Sequence, residues 1–322
     1  MDSILLARHN LSLIKQQLFR ISSMKKFYVT IASLFFSMGF NHIFANHCND
    51  FNETLTSLNN KYNQKISSIE KSRWYNLDDF KIKSIFIVVH GLNLKPSKMN
   101  DLITVLGKQH HGVLRLALMS DQDPTFTVNS WQQQAIDYYC LTINKAKKQK
   151  LAVSFLGYSI GASIGSLLVS QQYLFDKLIL FAPALSLHWY SKIPERLPLP
   201  KGVMLPSFNN KQYRHFNGLK ILTYQAQAKL RKNFSVKQLA IWPKTLIFMR
   251  EKDEIVSYQE LSFFRDPSHQ QITFITLDSL KRFSVRGKNH LMIDKESLGD
   301  EQWSIVLKNI KGFLDKESGL NN

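Results

Sequence analysis

Six short apolar runs recur along the chain: SIFIVVH (84–90), VLRLALM (113–119), LAVSFLG (151–157), KLILFAP (177–183), TLIFMR (245–250) and ITFITL (272–277). Each is continuously apolar or β-branched instead of alternating with polar residues, the pattern of a strand covered on both faces. The stretches between and after them, near 97–108, 129–148, 160–172, 257–264 and 300–315, carry helical periodicity. Strand and helix in alternation predict an α/β chain, with a mostly parallel sheet flanked by helices on both sides. At 322 residues the chain is long enough to bury a sizeable core around such a sheet.

The alternation breaks between Leu185 and Trp242. Five of the nine prolines fall between Pro183 and Pro206, and an amphipathic stretch follows from about Leu219 to Lys232. An insertion of this length is too long for a simple connection, and Trp189, Tyr190, Phe208, Tyr213, Phe216 and Tyr224 argue that it is packed. Open parallel sheets bind ligands at the C-terminal ends of their strands, so residues 185–242 are expected to cap that edge. The core is then expected to comprise 82–184 and 243–316, preceded by a polar, Asn-rich leader over 46–81.

Residues 157–165 read GYSIGASIG and fit Gly-x-Ser-x-Gly twice, around Ser159 and around Ser163. A nucleophile elbow needs a buried strand, a sharp strained turn at the serine and then a helix, with small residues where the turn folds back. LAVSFLG supplies the strand directly before Ser159, and Gly161, Ala162 and Gly165 allow a close helix approach after it. Ser163 falls one turn inside that helix, away from the tip. Ser159 is therefore the expected nucleophile and Ser163 a small packing residue.

On this elbow, and on three further motifs, the chain resembles the α/β-hydrolase superfamily over roughly residues 82–316, and within it the capped esterase and lipase branch, lysophospholipases and monoacylglycerol lipases included. The resemblance implies an α/β-hydrolase fold with the cap inserted after the sixth strand. HGLN (90–93) follows the strand SIFIVV where the family carries its His-Gly oxyanion turn, which implies that the main-chain N–H groups of Leu92 and Ile160 hold the oxyanion. His90 is read as a brace for that loop. MREKDEIVSY (249–258) resembles the family's Gly-x-x-Asp-x-x-Val turn with Asp253 and Val256 in register, although Arg250 stands where glycine is usual; Glu251 and Glu254 are the fallback acids. The base is His290 in RGKNHLM (286–292), after the last apolar strand and before the final helix. Ser159, Asp253, His290 is the chain order this fold uses.

A serine hydroxyl attacks only when an imidazole takes its proton, and that imidazole is held in one tautomer by a carboxylate. Such a chain would cleave carboxylic esters through an acyl-enzyme. The aromatic and aliphatic insertion fits a hydrophobic acyl group, so the expected substrate is a small-molecule or lipid ester. A peptidase or thioesterase on the same scaffold is the alternative, and a non-catalytic polyanion-binding protein a more distant one. The chemistry needs no cofactor, and no metal-ligand spacing of Cys or His is present. The basic run KAKKQK (145–150) lacks the interleaved aromatics of a nucleic-acid site and lies where lysines complement a helix C-terminus.

The formal net charge is +18, a field that favours anionic partners such as an acidic membrane surface. Lys25 and Lys26 precede an uncharged run, Phe27 to Ala45, that ends on a small residue, the layout of an export signal. Residues 1–45 are thus expected to be a signal peptide cut after Ala45, or an anchor, with translation starting at Met24 and the catalytic domain outside the cytoplasm. Five basic residues and one acidic residue lie in that segment, so the exported form keeps a charge of +14. Cys48 and Cys140 would meet an oxidising compartment, where a disulfide is open to them; the preferred expectation for Cys140 is simple burial on a helix face with Ile136, Tyr139 and Ile143.

Overall fold

The computed structural model describes residues 48–79, 81–207, 209–279 and 289–315. The expected signal segment 1–45, Phe208 and residue 316 lie outside them. The chain divides into Met1–Asp50 and Phe51–Asn322, and the elements below all belong to the second unit. Cys48 and Cys140 are each disulfide-bonded, which corrects the expectation of a merely buried Cys140.

The leader is part of the fold. Helix α1 (Leu55–Tyr62) begins at Thr54, whose side chain accepts the Ser57 N–H, and buries Leu58 and Tyr62. The Tyr62 hydroxyl donates to Asp137 at 2.6 Å. Strand β1 (Arg73–Tyr75) is followed by β2 (Ser84–Val89), a 3-10 turn at Pro96–Met99, helix α2 (Asn100–Lys108) and β3 (His111–Leu116). Then come α3 (Ser130–Gln149), β4 (Ala152–Tyr158), α4 (Ile160–Ser170) and β5 (Lys177–Phe181). The insertion holds a short helix α5 (Ile193–Arg196), the antiparallel pair β6 (Met204–Pro206) and β7 (Gly218–Lys220), and helix α6 (Ile221–Lys232). The core resumes with β8 (Lys244–Arg250), β9 (Ile272–Leu277), α7 (Lys295–Leu298) and α8 (Asp300–Asp315).

Seven strands form one sheet in the order β1-β3-β2-β4-β5-β8-β9. Only β1 runs antiparallel; every other neighbouring pair is parallel. Counted along the described residues, the insertion follows the fifth strand and not the sixth, because a single antiparallel strand precedes β2. The stretch 257–264, expected to be helical, forms only a 3-10 turn at Ser262–Arg265. It is shorter than an isolated helix needs, and the Ser257 hydroxyl accepts the Glu260 N–H, fixing a turn at its start.

The register sets the site. Val89 pairs with Gly157, Tyr158 with Phe181 and Phe181 with Phe248, so the strands end nearly level and the loops after β2, β4 and β8 leave from one edge of the sheet. Beneath that edge the rings of Phe181 and Phe248 stack with centroids 4.7 Å apart. Helix α4 is buried along its whole length, which suits a helix apolar all round. Among the described residues no helix is long and apolar enough to cross a membrane.

Candidate active site

Ser159 occupies the junction of β4 and α4 with φ 54° and ψ −114°, a backbone region that costs a non-glycine residue about 1–3 kcal/mol. The glycines around it are required by close approach. A Cβ on Gly157 would lie 2.5 Å from the Ala162 nitrogen, and one on Gly161 would lie 2.3 Å from the Val89 carbonyl oxygen. The first lets the chain turn back on itself; the second lets α4 press against the end of β2. Ser163 is buried within α4, and its hydroxyl donates to the Ser159 carbonyl at 3.3 Å, so the second Gly-x-Ser-x-Gly match is a packing feature.

The Ser159 hydroxyl lies 2.9 Å from His290 Nε2, and His290 Nδ1 lies 2.8 Å from Asp253 Oδ2. All three side chains are buried, Asp253 being 2% exposed. The other carboxylate oxygen of Asp253 accepts the N–H groups of Ile255 and Val256, each at 2.8 Å, which fixes the carboxylate and turns Oδ2 toward the imidazole. A carboxylate only accepts, so Nδ1 carries the ring proton and Nε2 is left to accept from the serine. Of the fallback acids, Glu251 is exposed, and Glu254 turns Oε2 to the main-chain N–H of His290 at 3.1 Å.

His90 belongs to the scaffold. Its Nε2 accepts the Leu118 N–H at 2.9 Å, so Nδ1 is the protonated nitrogen and donates to the Gly91 carbonyl at 2.8 Å. Burial pushes its pKa down to about 3, and it stays neutral as a brace for the turn that carries Leu92. Leu92 lines the same cavity as Ser159. Ile160 is the first residue of α4, so its N–H is among the helix-start donors that have no intrahelical acceptor.

The cavity encloses about 690 Å³. Ser159 and His290 form part of one wall, and the insertion supplies Leu187, Pro194, Leu205, Leu219 and Tyr224. Among the described residues that line it, Glu254 is the one charged side chain, and Asn93, Asn209, Asn210 and Gln227 are the amides. No group of three or more His, Cys, Asp or Glu among the described residues is arranged to hold a metal ion.

The sequence reading missed the side chains that hold the His290 loop. Arg250 Nη1 lies 3.3 Å from the Asn289 carbonyl and 3.2 Å from that of Leu291, and the Tyr158 hydroxyl donates to the His290 carbonyl at 3.0 Å. The available signal was an arginine closing the apolar run TLIFMR, where glycine is usual in the resembling family.

Solved structures with the same architecture include lipolytic enzymes. A soluble variant of monoglyceride lipase from Saccharomyces cerevisiae, in complex with a substrate analog, superposes with a TM-score of 0.61 at 14% identity, covering 78% of this chain and 92% of that one. A structure from the metagenome-derived lipolytic enzymes LipS and LipT gives 0.58 at 12% identity, over 77% of this chain and 98% of that one. Est1E from Butyrivibrio proteoclasticus gives 0.52 at 16% identity, over 76% and 92%. At such identities the likeness is one of fold: this chain has the α/β-hydrolase fold. No protein-family model and no curated protein sequence matches it.

Proposed function

We propose that the chain is a serine hydrolase that cleaves carboxylic esters of a hydrophobic acyl group. The observation that carries the reading is the hydrogen-bonded series Ser159, His290, Asp253 at the wall of a largely apolar cavity. As Ser159 Oγ attacks the ester carbonyl carbon, its proton moves to His290 Nε2, and Asp253 stabilises the imidazolium. The negative charge on the former carbonyl oxygen is met by the N–H groups of Leu92 and Ile160, each such donor being worth about 3–4 kcal/mol in the transition state. The imidazolium then protonates the departing alkoxide, leaving acyl-Ser159. Water, deprotonated by His290, releases the acid.

The cavity favours a neutral ester. A phosphate or free carboxylate inside it would find Glu254 and no lysine or arginine among the lining side chains, and an unpaired charge removed from water is costly. Residues 185–242 act as the cap. Of the large apolar side chains exposed among the described residues, seven lie in this segment, Trp189 being 74% exposed, and the same segment has ten basic residues to one acidic. That combination fits an anionic lipid surface, where each cation near the headgroups contributes about 1 kcal/mol. Disulfide-bonded Cys48 and Cys140 support export to an oxidising compartment.

The test is a fluorophosphonate probe with peptide mapping, beside a panel of p-nitrophenyl esters of rising chain length, a lysophospholipid and an aminoacyl arylamide. Labelling of Ser159 and turnover of the neutral esters are expected. Turnover of the arylamide alone would move the reading to a peptidase, and absence of labelling would remove it. Co-sedimentation with phosphatidylglycerol vesicles but not with phosphatidylcholine vesicles is the expected outcome for the surface.

A further inference from the structure

Three consecutive carbonyls around the base each accept a hydrogen bond from a side chain at the end of a strand. Asn289 and Leu291 accept from Arg250, the last residue of β8, and His290 accepts from Tyr158, the last residue of β4. The fourth hold is on the His290 N–H, taken by Glu254. Tyr158 directly precedes Ser159 and Arg250 lies three residues before Asp253, so the strand ends that deliver the nucleophile and the acid also grip the loop of the base. The Tyr158 ring lies against the imidazole as well, centroid to centroid 5.3 Å.

Arg250 is fully buried. Among the described residues its Nε and Nη2 have no hydrogen-bond partner, so all the hydrogen bonding of this buried cation is directed at the two carbonyls. Burying a guanidinium is unfavourable, and Glu254 and Asp253 offset that by their charge. The phenol of Tyr158 is held far above the ordinary tyrosine range, chiefly by burial, which keeps it a neutral donor. A catalytic imidazole displaced by about 1 Å loses on the order of 10²-fold in rate, so a loop anchored on both sides of His290 bears directly on turnover.

We propose that Arg250 and Tyr158 are positioning residues that fix the main chain of His290 and thereby the distance from its imidazole to Ser159. This rests on the hydrolase reading above for its kinetic readout, and the experiment separates the two. Arg250→Met, Arg250→Lys and Tyr158→Phe are compared with the parent by circular dichroism, by ester kinetics and by the low-field NMR resonance of the His290 Nδ1 proton, which reports the imidazole–carboxylate geometry without turnover. Arg250→Met and Tyr158→Phe are expected to lower kcat about 10- to 100-fold with KM nearly constant, and to shift or broaden the resonance. Arg250→Lys, whose ammonium reaches a carbonyl, is expected to recover part of the loss.

A folded Tyr158→Phe with parental kcat and resonance overturns the proposal, as does a loss that falls on KM alone. Should Arg250→Met fail to fold, Tyr158→Phe decides, since it removes one oxygen and keeps the ring. Should the parent hydrolyse no ester and resist the fluorophosphonate, the hydrolase reading fails, and the resonance still decides whether the two side chains hold His290.

Discussion

Ser159 and Ser163 are the same residue type four positions apart, in the same sequence pattern, and they differ only in what the backbone does. Ser159 has a positive φ at a turn whose tip meets His290; Ser163 sits inside a helix and bonds back to its own preceding turn. Ser159→Ala is therefore expected to reduce ester turnover by about 10⁴- to 10⁶-fold, whereas Ser163→Ala, which removes one 3.3 Å hydrogen bond, should leave kcat within a few-fold. Equal losses in the two variants, read by steady-state kinetics, would contradict the assignment. Gly161→Ala tests the neighbouring contact. Its added methyl meets the Val89 and His90 carbonyl oxygens at 2.3 and 2.7 Å, main-chain atoms that cannot swing aside, so a destabilisation of about 1–3 kcal/mol or more is expected. Because those carbonyls lead into the turn bearing Leu92, kcat should fall with it. A chemical melt and an ester assay on the same preparation check both.

Elements were legible where a local pattern and the global fold agreed. Five of the six continuous apolar runs form strands buried on both faces, as central parallel strands are, whereas ITFITL forms the edge strand β9 and is only partly buried. Asp253 and His290 could be singled out as candidates because each lies after a recognisable strand. Strand β1 was not legible: Arg73–Tyr75 is three residues long, half-buried, and defined by its pairing with β3 instead of by its composition. The Arg250 and Tyr158 holds on the His290 loop escaped for the same reason, since they join residues 39 to 132 positions apart and leave no local period. The attachment of the insertion is another tertiary device. Asp121, 3% exposed, accepts the Lys220 N–H at 2.5 Å and the Thr223 hydroxyl at 2.6 Å, while its carbonyl takes the Lys220 ammonium at 2.7 Å. A carboxylate from the core thus caps the N-terminus of α6, where the helix dipole favours negative charge. Asp121→Ala leaves the Lys220 N–H and the Thr223 hydroxyl unpaired, while the main-chain carbonyl keeps the ammonium, and is expected to cost about 2–4 kcal/mol. Limited trypsin digestion should then cut the lysine- and arginine-rich insertion before the core. An unchanged melting midpoint together with an unchanged digest would show that the insertion is held elsewhere.

Across the whole molecule, two buried neutral histidines, His111 in β3 and His90 just after β2, make stability depend on pH. His90 and His111 are 5% and 6% exposed. Burial is the main cause of a pKa pushed down to about 3 for the first and about 4 for the second, with Lys83 and Lys177 adding to the shift at His111. Unfolding returns both to the ordinary value of 6.5, so the unfolded chain binds more protons than the native one between the folded and unfolded values. The sign follows: the contribution is fully present above pH 6.5 and is lost as pH falls toward 4 and then 3. Near pH 5 the two together imply an uptake of about two protons on unfolding, or on the order of 2–3 kcal/mol per pH unit. Denaturant melts at pH 7, 6 and 5 are expected to give steadily lower midpoints. His111→Asn, which keeps a partner for the Ser84 hydroxyl now 2.8 Å from Nδ1, should reduce the slope by about one proton. A midpoint that is flat or rises on acidification over that range would mean that these imidazoles are already protonated in the native protein, and the bracing of the Leu92 turn by a neutral His90 would fall with it.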